Sequence, residues 1–383
     1  MVRKIAVITG TRADYGLMRS TLKAIDSHPK LELCLIATGM HLSHEFGYTI
    51  NDIKKDGFSI ASELDILLSS DSKTSMATSA GLGIIKISQA LEQIKPDIVV
   101  VEGDRWEAAS GVIASAFLNI PVAHISGGDV TEGGCIDDSI RHAITKFAHI
   151  HFPGTSKSAE RLSKMGEEGW RIHMVGDPGN DLQDFKSIEP QELENYFSIN
   201  LNDPLLLVVQ HPVTYEIEHT ADHMRETMES IVELGLQTIV IYPNADSGGK
   251  LAIEVIKDFS EYPNIKIYKN LTRDVYLSLM AVSSAIIGNS SSGIVESPFF
   301  KIPAVNIGTR QSGRERSTNV IDVEYDRHEI VSAIKKALSD KDFKENVKNC
   351  PNPYASENTG IKIANLLYKI EIDNKLINKK FIL

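Results

Sequence analysis

Residues 5–16, IAVITGTRADYG, and 205–216, LLLVVQHPVTYE, share one plan: a short apolar run that stops abruptly at polar, turn-forming residues. Consecutive apolar positions suit a strand buried on both faces, as in a parallel sheet covered by helices on either side. Two such openings in distant parts of one chain predict two doubly wound α/β domains of similar build. Open α/β sheets bind ligands outside the carboxyl ends of their strands, so two such domains facing each other would hold an active site in the cleft between them.

The pattern continues outward from both openings. In the first half, apolar runs at Ile5–Ile8, Leu31–Ala37, Asp97–Val101, Val122–Ile125, His149–Phe152 and Met174–Val175 are expected strands. Helical patterns such as Leu17–Ile25 and Ile84–Gln93 fall between them, the alternation of a parallel sheet. A polar, acid-rich stretch from Gly179 to Pro204 interrupts this rhythm. A second series follows at Leu205–Val209, Thr238–Tyr242, Ile265–Tyr268, Ala285–Ile287 and Ala304–Ile307. The expected domains are therefore 1–180 and 198–355. Beyond Pro351-Asn352-Pro353, residues 356–383 carry a helical pattern at Gly360–Lys369 that is expected to return to the first domain.

Whole-chain properties narrow the function. At 383 residues the chain exceeds a single ordinary core, and length alone favours two domains of about 150 to 200 residues. Its 42% hydrophobic and 24% charged residues are those of a globular protein. The formal net charge of −11 argues against broad binding to nucleic acid or to an anionic membrane, which need basic surfaces. Cys34, Cys135 and Cys350 are widely separated and lack metal-ligand spacing, so reduced thiols are expected rather than disulfides or zinc. With no signal-peptide pattern and no bilayer-length apolar run, the expected location is the cytoplasm.

The candidate chemistry lies where the apolar runs stop. The turn Thr9–Gly16 could offer backbone N–H groups and Arg12 to a phosphate, or simply hold Arg12 and Asp14 as a local pair; it is not a GxGxxG dinucleotide fingerprint. At the end of the next expected central strand, Glu102-Gly103-Asp104-Arg105 places an acid and a guanidinium together. Asp104 suits a base or an orienter and Arg105 an electrostatic stabiliser, unless the two merely pair. The stretch His124-Ile125-Ser126-Gly127-Gly128-Asp129 leads through a glycine-rich loop to a helix on which Asp137 is expected as N-cap. Asp138, Arg141, His142 and Thr145 then share one face. These groups, with Asp129, are candidates for acid/base chemistry. Asp129 and Asp138 together do not have tight metal-ligand spacing.

In the second half, His211 and Asn244 end successive strands, and each alone is also an ordinary structural residue. The run GNSSSGIVES, residues 288–297, places Ser290 and Ser291 at an expected helix N-terminus, suited to a diphosphate, with Glu296 in the following turns as a possible partner for ribose hydroxyls. A serine cap with a capping glutamate would look similar. Arg310 follows another strand and supplies a further cation.

Taken together, GTRADYG, PDIVVVEGDR, IDDSIRHAITK, QHPVT, PNADSG, IGNSSSGIVE and NIGTRQSGRE resemble the UDP-N-acetylglucosamine 2-epimerases, and within them the hydrolysing branch of sialic acid synthesis. The resemblance implies two facing Rossmann-like domains of the glycosyltransferase B type. It implies UDP contacts from Ser290 and Ser291 to diphosphate, from Glu296 to ribose, and from Arg12, Asp14, His211, Asn244 and Arg310 around them. Asp104, Arg105, Asp138, Arg141 and His142 would lie near the sugar. The implied reaction converts UDP-N-acetylglucosamine and water to N-acetylmannosamine and UDP, through elimination to 2-acetamidoglucal and then hydration, with no metal or redox cofactor. The same reaction on UDP-N,N′-diacetylbacillosamine, and a non-hydrolysing epimerisation, are the neighbouring readings. A homodimer or homotetramer is implied as well. One motif departs from the pattern: relatives read HVEAG or HIEGGE, whereas this chain reads HISGGD. Ser126 cannot act as a general base, and the role falls among Asp104, Asp129, Asp138 and His142.

Overall fold

The computed structural model describes residues 2–70, 72–131, 136–182, 185–244, 246–355 and 357–382. The chain divides into two compact units, one of residues 1–130, 136–184 and 354–383, the other of residues 131–135 and 185–353.

The first unit is built on a six-stranded parallel sheet of β1 (Arg3–Thr9), β2 (Leu31–Thr38), β3 (Ile60–Leu64), β4 (Ile98–Glu102), β5 (Val122–Ile125) and β6 (Ile150–Phe152), in spatial order β3-β2-β1-β4-β5-β6. The second sheet contains β7 (Leu205–Val209), β8 (Gln237–Ile241), β9 (Ile265–Tyr268), β10 (Ala285–Gly288), β11 (Ala304–Ile307) and β12 (Val320–Val323), in order β12-β11-β10-β7-β8-β9. Renumbered within its own unit and read from the opposite edge, this is the same order as the first. Each sheet therefore reverses its winding once, between β1 and β4 and between β7 and β10. That is where a doubly wound sheet opens a crevice for a ligand.

The central strands are apolar throughout because both faces are covered. Ile5 and Val7 pack with Met18, Leu22 and Ile25 on one face, while Ala6 and Ile8 meet Val112 and Ile87 on the other. In the second unit Leu206 and Val208 face Met228 and Ile231, and Leu205, Leu207 and Val209 face Leu279 and Met280. Burial of each such side chain contributes about 1.5–3 kcal/mol before the loss of chain entropy is counted. The helix Thr220–Leu234 buries Met224, Thr227, Met228 and Ile231 on one stripe and stops at Gly235, whose φ of 63° ends the turn in the left-handed conformation.

The helix Thr359–Lys369 belongs to the first unit. Ile363, Ala364 and Leu367 join the core beneath the helix Arg12–Ser27, and the Gly360 N–H donates to Asp181 Oδ2 at 3.0 Å. A Cβ on Gly360 would lie 2.3 Å from the Ser20 carbonyl oxygen, so the two helices meet at backbone distance.

Three local expectations fail. Met174–Val175 forms no strand: Val175 is buried, but its N–H goes to the Pro153 carbonyl in a loop. The strands β3 and β12 arise where no apolar run marked them, because each lies at a sheet edge and keeps one face partly exposed. Gly179–Pro204 is also not featureless, since it contains the helix Pro190–Phe197, which buries Leu193 and Phe197. Cys34 and Cys350 are buried free thiols, and Cys135 lies outside the described residues. Among the described residues no helix is long and apolar enough to cross a membrane.

Candidate active site

In the first unit, the turn after β1 is held by one carboxylate. Asp14 accepts from the backbone N–H groups of Gly10 at 2.9 Å, Thr11 at 2.8 Å and Tyr15 at 2.8 Å, and from the Thr9 and Thr11 hydroxyls. Thr11 returns a cap to the Asp14 N–H, completing a capping box for the helix Arg12–Ser27. Asp14 therefore shapes the loop that carries Arg12, which is half-buried. Thr9 also bonds His41, whose other ring nitrogen meets Thr49 at 2.8 Å. Burial lowers the His41 pKa, although Asp14 opposes the shift.

At the end of β4 the adjacent acid and base do not pair with each other. Asp104 is bound by Arg141, while Arg105 is held by Glu107, with Nε to Oε2 at 3.0 Å and Nη2 to Oε1 at 3.2 Å. Glu107 is fully enclosed beneath Gly10, where a Cβ would come within 2.6 Å of its Cγ. Burial raises its pKa and the Arg105 charge resists that rise.

The helix Ile136–Phe147 brings the predicted face together. Arg141 is buried and bridges Asp104 to Asp138, the latter at 3.3 Å, and His142 Nε2 stands 3.5 Å from Asp138. Asp137 is inside the first turn of this helix rather than before it, so its carboxylate stands at the positive end of the helix. Thr145 meets His124 Nδ1 at 3.3 Å, and His124 Nε2 meets the Gly103 carbonyl at 2.7 Å. That carbonyl must accept, which puts the ring proton on Nε2. Burial drives the His124 pKa down to about 3, so the ring is a neutral strut between strand end and helix.

Asp129 is buried and accepts from the Ser158 hydroxyl at 2.6 Å, on the helix Ser156–Lys164. The preceding Gly128 has φ of 83°, and a Cβ there would lie 2.4 Å from the Ser158 carbonyl. Among the described residues no three His, Cys, Asp or Glu side chains stand where they could hold a metal ion.

The second unit gathers His211, Asn244 and Arg310 around a residue that had no assigned role, Asn289. Its side chain accepts from the His211 N–H at 2.7 Å and donates to the His211 carbonyl at 2.8 Å. Its own carbonyl accepts from Arg310 at 3.2 Å and from Gln311 at 3.0 Å. The Asn244 N–H donates to His211 Nδ1 at 3.2 Å, which leaves Nε2 as the nitrogen that carries hydrogen. Asn289 thus clamps the ends of β7, β8, β10 and β11 into one polar surface.

The serine run differs from the expected cap. Ser290 and Ser291 precede a helix of one turn, Ser292–Val295, and a second short helix, Ser297–Phe300, begins after Glu296. Ser290 and Ser291 stay partly exposed, while Ser292 turns inward to Tyr276 and to Ser290. Glu296 is buried at the joint, with its carboxylate 2.9 Å from Arg273. Asn289 stood inside a quoted motif, but nothing local distinguishes a clamp from a turn asparagine. Arg273 and Glu107 had no signal at all, because the pairs they form depend on tertiary approach.

The residues 23–368 match the family model described as UDP-N-acetylglucosamine 2-epimerase. This chain belongs to that family. It is 37% identical over 380 residues to the UDP-N,N′-diacetylbacillosamine 2-epimerase (hydrolyzing) of Legionella pneumophila, covering 99% of both chains. It is 38% identical to the GDP/UDP-N,N′-diacetylbacillosamine 2-epimerase (hydrolyzing) of Campylobacter jejuni, over 90% of this epimerase-family chain and 89% of the other. A UDP-N-acetylglucosamine 2-epimerase of Neisseria meningitidis is 32% identical over 88% of each. The fold matches a crystal structure of UDP-GlcNAc 2-epimerase from Neisseria meningitidis bound to UDP-GlcNAc, with a TM-score of 0.82 over 96% of this chain and 100% of that one, at 20% identity.

Proposed function

We propose that the protein is a hydrolysing 2-epimerase that converts a UDP-2-acetamido sugar and water to the free C2-inverted sugar and UDP. The observation that carries this reading is near full-length identity of 37–38% to two hydrolysing epimerases. Between the two candidate sugars, UDP-N,N′-diacetylbacillosamine ranks first because those relatives act on it, whereas the relative acting on UDP-N-acetylglucosamine is 32% identical. UDP-N-acetylglucosamine, with N-acetylmannosamine as product, is the second substrate.

The clamped strand ends of the second unit suit UDP. Partly exposed Ser290 and Ser291, with Arg310 and His211 Nε2, offer donors for diphosphate oxygens, and Glu296 and Asn244 suit ribose. Arg12, on the turn after β1, is a further candidate phosphate ligand. In the first step a base takes the C2 proton as the C1–O bond breaks, and the cations stabilise the departing UDP. Asp104, Asp138 and His142, linked through Arg141, and Asp129 are the candidates around C2, with Arg105 as electrostatic support. Water then adds its oxygen to C1 of the glycal while C2 takes up a proton from the opposite face. A sugar-nucleotide substrate supports a cytoplasmic setting.

Proton NMR of the purified protein with each UDP-sugar tests this directly. Free 2-epimeric sugar and UDP should appear without any acceptor, with a higher kcat/KM for the diacetylated sugar. An epimer that retains UDP would replace hydrolysis by simple epimerisation. UDP release only with an added acceptor would make the protein a transferase.

A further inference from the structure

Glu102 ends β4 at the point where the first sheet reverses its winding, and the pairing of β4 with β5 sets it beside Ile125. The next residue, Ser126, is buried with φ of 60°. Such left-handed backbone is disfavoured for a non-glycine residue and persists only where its surroundings impose it. Glu102 itself stays partly exposed at the strand end, with the buried Ser126 hydroxyl acting on its carboxyl. The neighbouring acids are engaged elsewhere: Asp104 and Asp138 with Arg141, Asp129 with Ser158, Glu107 with Arg105, and Asp14 within its own loop. Resting on the hydrolytic reading above, we propose that Glu102 is a catalytic residue that delivers the proton to C2 of the glycal intermediate, with Ser126 as its positioning residue.

The step balances. The Glu102 carboxyl proton goes to C2 as the π electrons of the C1–C2 double bond form the new C2–H bond. Water oxygen bonds to C1, and the proton that this water sheds returns to the Glu102 carboxylate by way of solvent. The electrostatics suit a donor. Burial pushes the Glu102 pKa up to about 8, Asp14 from the first helix and Asp177 from the chain beyond the helix Ser156–Lys164 push it the same way, and Ser126 and Arg141 oppose them. At neutral pH the group is therefore mostly protonated, as an acid must be before it can give up a proton.

Glu102→Gln keeps the side-chain volume and can still meet Ser126, but it has no proton to give. With native enzyme shown to be active, this variant should release UDP and accumulate the glycal. Free-sugar formation should fall at least about 100-fold, with KM changed less than about threefold. Supplying the glycal directly should show the same loss in hydration. Turnover within about threefold of native overturns the proposal. So does an equal loss of UDP release and hydration, which marks a structural group. Unchanged thermal unfolding and UDP binding verify that the variant is folded.

Ser126→Ala gives a second test. Removing the hydroxyl that stabilises ionised Glu102 should raise its pKa, so the alkaline limb of kcat, near pH 8 in the native enzyme, should move to higher pH. A limb that stays in place overturns the pairing. Native enzyme that releases no UDP from either sugar defeats the hydrolytic reading itself, a result distinct from failure of Glu102 alone.

Discussion

Glu296 shows how the partner of a residue decides which substitution is informative. Its carboxylate and Arg273 are both shielded, and removing one member of a buried ion pair costs about 3–5 kcal/mol because the other charge is left behind. Glu296→Ala would therefore mix loss of ribose contacts with loss of structure. Glu296→Gln also leaves the Arg273 charge behind but keeps shape and an acceptor; with thermal unfolding measured alongside, and if the residue grips ribose, it should raise KM for the UDP-sugar about tenfold or more, with kcat within about threefold. Steady-state kinetics decide this, and a KM within about twofold of native would remove the ribose role. The serines and Glu296 could be singled out from sequence because hydroxyls and an acid after an apolar strand need a reason to be there. Arg273 could not, since nothing in its own neighbourhood points across the fold to Glu296. For Asp104 and Arg105 adjacency left open a mutual pair, and the fold instead sets Arg141 against Asp104 and Glu107 against Arg105.

At the scale of elements, strands buried on both faces were legible because every residue in them must be apolar. Leu205–Val209 coincides with its apolar run and is buried throughout, whereas the edge strands β3 and β12 carry no such run. Turn geometry was less legible. Gly288, the last residue of β10, has φ of 122°, and a Cβ there would lie 2.3 Å from the Val209 carbonyl oxygen of the neighbouring strand. That close approach sets the start of the serine turn and the position of Asn289 beside His211. Gly288→Ala must therefore both strain its backbone and push two paired strands apart. Urea unfolding should show a loss of at least about 2 kcal/mol. A change below about 0.5 kcal/mol would mean that the turn relaxes freely and that Asn289 does not depend on this glycine.

Over the whole molecule, the ionisable groups that burial perturbs most are divided unevenly between the two units. The first unit holds His124 and His149, lowered by burial to about 3 and about 4, and His41 and His151, lowered by the same cause. The second has His223, lowered by burial. A histidine lowered in the folded state binds its proton only on unfolding, so stability falls as pH drops below the ordinary value near 6.5 and continues to fall until the folded value is reached. His124 alone corresponds to roughly 2 kcal/mol at pH 5. Glu167 extends the slope. Burial raises its pKa, but hydrogen bonds from His151, Lys146 and Lys379 outweigh that effect and hold it at about 2. Its stabilisation is present above the ordinary glutamate value and is lost as pH falls from there through about 2. Both tryptophans of the chain, Trp106 and Trp170, lie in the first unit. Acid titration should therefore change tryptophan fluorescence at a higher pH than it removes the bulk of the far-ultraviolet circular dichroism, because the second unit keeps its helices longer. Coincident transitions would show that the two units unfold as one, and that the histidines of the first set the acid limit for both.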